Sequence, residues 1–97
     1  MIESFGNDLA EDLFFDRFTK DTRRLSAELR RAARRKLLYL HEAEILDDMR
    51  VPPGNRLELL RGDRRGMYSV RINDQWRVVF RWLDGRATGV TVEDYHR

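Results

Sequence analysis

The chain of 97 residues carries 19 Lys and Arg against 17 Asp and Glu, a net charge of +2, so overall charge by itself points to no particular partner. That length suits a single domain spanning residues 1–97 and leaves no room for a second. The lack of cysteine excludes disulfides and thiolate zinc sites, and the longest apolar run, LLYL at residues 37–40, is far short of the roughly 20 residues that span a bilayer.

The two histidines have no metal-ligand spacing, so neither metal nor cofactor is expected. With no signal-peptide pattern the expected location is the cytoplasm, without membrane contact. Charge distribution is more informative than its sum. Acids gather near the N-terminus and at residues 42–48, whereas Arg and Lys cluster at residues 23–36 and again at residues 56–81.

Residues 1–5 read as a short strand whose partner the pattern does not place. From a cap at Asn7 or Asp8, the residues Leu9, Ala10, Leu13, Phe14 and Phe18 recur at helical spacing and predict a first helix. A second, longer helix is predicted from a cap at Asp21 to near Leu46, with Leu25, Leu29, Ala33, Leu37 and Leu40 as its buried stripe. At 3.6 residues per turn, Arg24, Arg31, Arg34 and Arg35 project away from that stripe, while Lys36 lies near it and must snorkel. This basic face is either simply solvated or a contact for RNA backbone phosphates, which such a face meets without reading sequence. Leu38 points nearly opposite the stripe. With Ile45 and Ala27 it offers an apolar strip for a protein partner to cover.

Pro52, Pro53 and Gly54 then separate the helical half from a sheet half. There Tyr68, Val70 and Ile72 fall on one side of a strand, and Trp76, Val78, Phe80 and Trp82 on one side of the next, the period of a sheet with one face buried. Register follows from parity, because residues opposite one another in an antiparallel pair share a face. An odd loop at residues 73–75 sets Ile72 against Trp76, Val70 against Val78 and Arg71 against Arg77. The same reasoning pairs Leu59 with Tyr68 and Leu57 with Val70, which puts Arg56 beside Arg71. A loop at residues 84–86 aligns Val90 and Val92 with the core and brings Glu93 beside Arg77.

The inferred row Arg56, Arg71, Arg77, Glu93 has two readings. Exposed arginines stretch apart and borrow acids such as Glu58 and Glu93. Alternatively, like charges set side by side destabilise a sheet and await an anionic ligand. The loop RGDRRG at residues 61–66 favours the ligand, since Arg61, Arg64 and Arg65 sit beside two glycines that let a nucleic-acid backbone come close. The fold class expected from the residues is α+β, a short N-terminal strand and two helices packed on a mostly antiparallel twisted sheet.

The run VPPGNRLE, then L.GDR.G.YSVRIN.QWR..FRW and a terminal DYH, resembles the HigB-like branch of the RelE/ParE superfamily, toxin components of bacterial toxin–antitoxin pairs. The likeness covers nearly the whole chain and implies the RelE/ParE-like fold. It implies a cytoplasmic toxin that cuts messenger RNA on the translating ribosome by attack of the ribose 2′-hydroxyl on the adjacent phosphate. A helix-turn-helix antitoxin would hold it inactive, and contact with DNA would come only indirectly, through the complex with that antitoxin.

By the same resemblance Asp94, Tyr95 and His96 form the acid/base group: His96 exchanges a proton, Asp94 orients it, and Tyr95 stacks on a base or donates a hydrogen bond. Arg77 stabilises charge on the scissile phosphate, and Arg61 replaces a lysine common in the family, keeping charge without basic chemistry. Glu58 stands where relatives often carry a histidine, and either substitutes as a base or leaves activity altered. Arg31, Arg34, Arg35, Arg56, Arg64, Arg65 and Arg71 are expected to contact RNA or the ribosome, and the strip at Leu38 the antitoxin. Some superfamily relatives poison DNA gyrase without cutting RNA. That alternative tolerates the loss of His96.

Overall fold

The computed structural model describes residues 1–95. Three helices, α1 (Asp8–Phe14), α2 (Lys20–Arg23) and α3 (Ala27–Glu42), precede four strands, β1 (Glu58–Leu59), β2 (Met67–Arg71), β3 (Trp76–Leu83) and β4 (Arg86–Asp94). The strands form one antiparallel sheet in the order β1-β2-β3-β4. The α+β class is as expected, with three helices on the sheet where two were predicted.

The extra helix arises because the segment predicted to run from Asp21 to near Leu46 is broken. Thr19, not Asp21, caps α2, its hydroxyl accepting from the Thr22 amide while the Thr22 hydroxyl accepts from the Thr19 amide. The chain then leaves helical geometry at Ser26, whose Oγ accepts from the Leu29 amide at 3.1 Å and starts α3 afresh. Ser and Thr favour such caps over helix interiors, and here they win against a continuous apolar stripe. That stripe nonetheless packs as predicted: Leu25, Ala33, Leu37 and Leu40 are buried. At the other end α3 stops at Glu42, and a 3₁₀ turn at Leu46–Arg50 follows.

Helix α1 is also shorter than its spacing suggested. Asn7 caps it, with Oδ1 accepting from the Ala10 amide at 3.0 Å, and the same side chain donates Nδ2 to the Val92 carbonyl at 3.0 Å, tying the helix start to β4. After Phe14 the chain reaches Asp16 at φ 57°, so Phe18 leaves the helix and stands 69% exposed, with the guanidinium groups of Arg23 and Arg30 over its ring. The predicted first strand becomes two single parallel bridges, Ile2 to Ala87 and Phe5 to Val90, running alongside β4.

The core lies between the helices and one face of the sheet, where Leu13, Leu37 and Leu40 meet Val70, Val78, Phe80, Val90 and Val92. Phe80 adds ring contacts to Tyr68 and Trp82. The parity register holds along β2 and β3, with Val70 opposite Val78 and Arg71 opposite Arg77, and the Ile72 amide donates to the Trp76 carbonyl across the predicted loop.

Between β3 and β4 the expected residue pairs form by a different route. The turn contains only Asp84 and Gly85, at φ 52° and 77°, with Leu83 opposite Arg86. Positive φ at both central residues is the turn that matches strand twist. Such an even loop alone would misalign the apolar faces. A bulge corrects it: Val79 faces Thr91 and Arg81 faces Thr88, so Gly89, at φ 60°, and Val90 together oppose Phe80. Ala87 before the bulge and Val90 and Val92 after it can therefore all be buried, and Glu93 still lands opposite Arg77.

Candidate functional site

The face of the sheet turned away from the helices carries Ser69 and Arg71 from β2, Arg77, Val79 and Arg81 from β3, and Thr91 and Glu93 from β4, as strand alternation requires. Its centre is not an open solvated surface. Val79 and Ser69 are fully buried, Arg77 is only 8% exposed, and Leu60, entering the β1–β2 connection, is buried too. Val79 and Leu60 are buried outside the helix-side cluster.

Arg77 is the unusual group there. Its Nε and Nη1, together with the Ser69 hydroxyl, have no hydrogen-bond partner among the described residues. An uncompensated buried charge costs several kcal/mol, and buried polar groups are almost always satisfied, so this pair of unbonded donors sets Arg77 apart from the other arginines of the sheet. One side of the guanidinium is covered by the Tyr95 ring, with its carbon 5.0 Å from the ring centroid. Tyr95 is held there because its amide donates to the Gln75 carbonyl at 2.6 Å, one residue beyond the pairing of Trp76 with Asp94.

Glu93, directly opposite Arg77, is engaged elsewhere. Its two carboxylate oxygens accept from Nη1 and Nη2 of Arg64 at 2.8 and 2.5 Å, and Oε2 also accepts from the Thr91 hydroxyl at 2.5 Å. These bonds, the Arg64 fork foremost, hold the Glu93 carboxyl below its ordinary pKa against the opposing effect of burial. Arg64 sits in a 3₁₀ turn, Gly62–Arg64, so the β1–β2 connection is fastened against β4.

The other residues singled out from the sequence divide between this face and elsewhere. Arg71 takes its place in the row but bonds Asp74 in the following turn, which lowers the Asp74 pKa. Arg56 does not pair with Arg71: β1 begins only at Glu58, and Arg56 occupies a left-handed conformation at φ 46° after the 3₁₀ turn Pro53–Asn55. Arg61 and Arg65 flank the Gly62–Arg64 turn and are exposed, as is Glu58.

Asp94 pairs across the ladder with Trp76 and so projects to the helix side, away from Arg71 and Arg77. There it accepts from Gln75 Nε2 at 3.0 Å and lines a cleft of about 370 Å³ with Leu9, Asp21, Arg24, Leu25 and Trp76. Of the terminal DYH, then, Tyr95 joins Arg77 and Asp94 lies around the rim of the sheet; His96 lies outside the described residues.

Arg31, Arg34 and Arg35 belong to a second basic surface, a groove of about 490 Å³ between α1 and α3 that also includes Phe18 and Leu38. Arg31 and Arg35 are exposed there, but Arg34 is half-buried and its Nε donates to the Phe14 carbonyl at 3.3 Å. Leu38 and Ala27 line this groove; Ile45, exposed, does not. Lys36 snorkels as expected and ends on the buried Asn55 side chain. Burial, then the nearby charges of Arg35 and Arg71, lower its pKa. Sequence reading missed the roles of Ser69 and Asn55, and the Arg64 fork. Asn in PPGN gave a turn signal, but nothing in the sequence joins Arg64 to a residue 29 positions away.

Residues 3–96 match the family described as "RelE-like toxin of type II toxin-antitoxin system HigB". Toxin HigB-1 of Vibrio cholerae is 35% identical over 88 residues, covering 88% of this chain and 93% of that one. Endoribonuclease HigB of Proteus vulgaris is 39% identical over 41 residues, covering 42% of this chain and 45% of that one. Among solved structures, the YoeB–YefM complex from Staphylococcus aureus is similar with a TM-score of 0.59 at 19% identity, over 100% of this chain and 99% of that one, a likeness of fold. A match of nearly every residue to one family, with a relative more than a third identical over most of both chains, has a direct consequence: the chain belongs to the HigB-like toxins of type II toxin–antitoxin systems.

Proposed function

We propose that this toxin is an endoribonuclease that cuts messenger RNA on the ribosome, with Arg77 as the group that receives the scissile phosphate. The observation that carries the reading is the buried guanidinium with two nitrogen atoms unbonded and one side against Tyr95. The name of the Proteus vulgaris relative, Endoribonuclease HigB, supports the same activity.

In the proposed reaction the ribose 2′-oxygen forms a bond to the adjacent phosphorus and the bond from phosphorus to the 5′-oxygen of the next nucleotide breaks. The 2′-proton passes to a base and the departing 5′-oxygen receives a proton. The nucleophile belongs to the substrate, so the protein supplies positioning, charge and proton transfer. Arg77 stabilises the negative charge that grows on the phosphoryl oxygens in a poorly solvated place, where such stabilisation is strongest. Tyr95 offers a ring and a hydroxyl to the neighbouring nucleotide, His96 carries the proton, and Asp94 acts from the rim of the sheet. Arg61, Arg65 and Arg56, exposed near the same face, meet flanking phosphates.

The exposed arginines of α3, Arg31 and Arg35, give a second phosphate-seeking surface for ribosomal RNA. An antitoxin of helix-turn-helix type holds the toxin inactive in the cytoplasm and brings it to DNA only indirectly. That the similar YoeB chain is found in a complex with YefM supports a protein partner of some kind.

The test is a reconstituted translation reaction with the purified chain, cut sites being mapped by primer extension. Cleavage is expected in translated messages, absent without ribosomes, and reduced roughly 10²- to 10³-fold by Arg77→Met. Intact messages alongside inhibited gyrase would replace this reading with that of a non-enzymatic poison, and cleavage indifferent to Arg77→Met would remove Arg77 from the site.

A further inference from the structure

Arg77 and Glu93 stand directly opposite each other on one face of the β3–β4 ladder, the placement in which an arginine and a glutamate ordinarily pair. They do not pair. Both carboxylate oxygens of Glu93 are held by the fork of Arg64, a bidentate geometry that turns the carboxylate towards the β1–β2 connection. Thr91 donates to the same carboxylate from the strand. Arg77 accordingly keeps Nε and Nη1 unbonded beneath a surface that exposes only 8% of the residue.

We propose that Arg64 is a positioning residue: by engaging both oxygens of Glu93 it keeps that carboxylate off Arg77, and so reserves the Arg77 guanidinium for an RNA phosphate. The inference rests on the reading of the chain as an RNA-cutting toxin and deepens it. A carboxylate fixed across the strand is an intramolecular competitor, and it loses no translational freedom on binding whereas an incoming phosphate does. Left free, Glu93 would satisfy the buried donors of Arg77 and neutralise the charge the reaction needs. The cation that prevents this comes from the 3₁₀ turn Gly62–Arg64, so the RGDRRG loop serves the site through Glu93 as well as through its exposed arginines. Because its fork is engaged, Arg64 acts here on a carboxylate, in a role distinct from the RNA contact expected from the sequence.

The experiment compares the full chain with Arg64→Met, Glu93→Gln and the double variant, with thermal unfolding to verify that each is folded. Two readouts are followed: cleavage of a translated message, and the Arg77 Nε–H resonance in ¹⁵N–¹H spectra. Arg64→Met is expected to shift that resonance as Glu93 turns to Arg77, and to slow cleavage roughly 10- to 100-fold, the effect of losing a charged hydrogen bond to the phosphate. Adding Glu93→Gln to Arg64→Met should return the resonance and recover most of the cleavage, which a merely structural role for Arg64 would not allow. An unmoved Arg77 resonance in Arg64→Met, or a double variant no better than the single, overturns the proposal. A resonance that moves and returns in a chain that cuts no message leaves the Arg64 sequestration standing and overturns the RNA reading instead.

Discussion

The two faces of the sheet bury their residues on opposite terms. Towards the helices, Val70, Val78, Phe80 and Val92 are at most 2% exposed and meet apolar side chains from α1 and α3. Away from the helices, Val79 shares its burial with Ser69 and Arg77, and three of their polar atoms lack partners among the described residues. The first face buries apolar groups that need no partner, whereas the second buries donors that do, and the difference teaches that depth of burial alone does not describe a core; the chemistry of what is buried does.

That contrast breaks most visibly at Phe80 and Arg77. Phe80→Ala should remove about 3–5 kcal/mol of stability, read as a lowered urea midpoint, because it empties the centre of the helix-side core. Arg77→Met should leave the midpoint unchanged or raise it, by on the order of 1 kcal/mol, since an apolar side chain replaces an unpaired buried cation. If Arg77→Met unfolds as readily as Phe80→Ala, both faces are structural and the distinction is lost.

A smaller effect is expected at Asn7, which caps α1 and clamps Val92. Asn7→Ala should cost about 1–2 kcal/mol, measured by the same denaturation, with β4 loosened next to the site. The smallest concerns pH. The Arg64 fork holds the folded Glu93 carboxyl below its ordinary value, so the contribution is complete above that ordinary value and is lost as pH falls through the lower, folded one. The midpoint temperature should therefore drop over this acid interval, and less in Glu93→Gln than in the parent chain; identical profiles would show that Arg64 and Glu93 do not hold each other in solution.

Much of this was legible in the sequence, for identifiable reasons. Alternation along QWRVVFRW fixes which side chains share a face, so the pairs Arg71 with Arg77 and Arg77 with Glu93 follow from parity. The α3 stripe follows from helical spacing. What escaped was set by local competition and by distance. Ser26 and Thr19 divide a helix that periodicity alone would continue, and the two-residue turn at Asp84 and Gly85 with its compensating bulge at Gly89 yields the same core pairs as the longer loop expected. Parity cannot tell these apart, because an even loop plus one extra residue has the parity of an odd loop. The engagement of Glu93 was illegible for another reason: parity places it beside Arg77, and only the three-dimensional approach of Arg64 turns its carboxylate elsewhere.

The N-terminal residues that run beside β4 have a consequence for assembly. Glu3 and Gly6 donate to Ala87 and Val90, and the amides of Ala87 and Val90 donate back to Met1 and Ser4, so the outward groups of the outermost long strand are occupied at these two residues. The added segment is a poor template in turn, since its contact is two isolated bridges and the Ile2 amide is consumed by His41. At the opposite margin β1 is two residues long. Among the described residues, then, each margin of the sheet is either covered by this N-terminal segment or short, which limits its use as a template for strand-by-strand stacking into fibres.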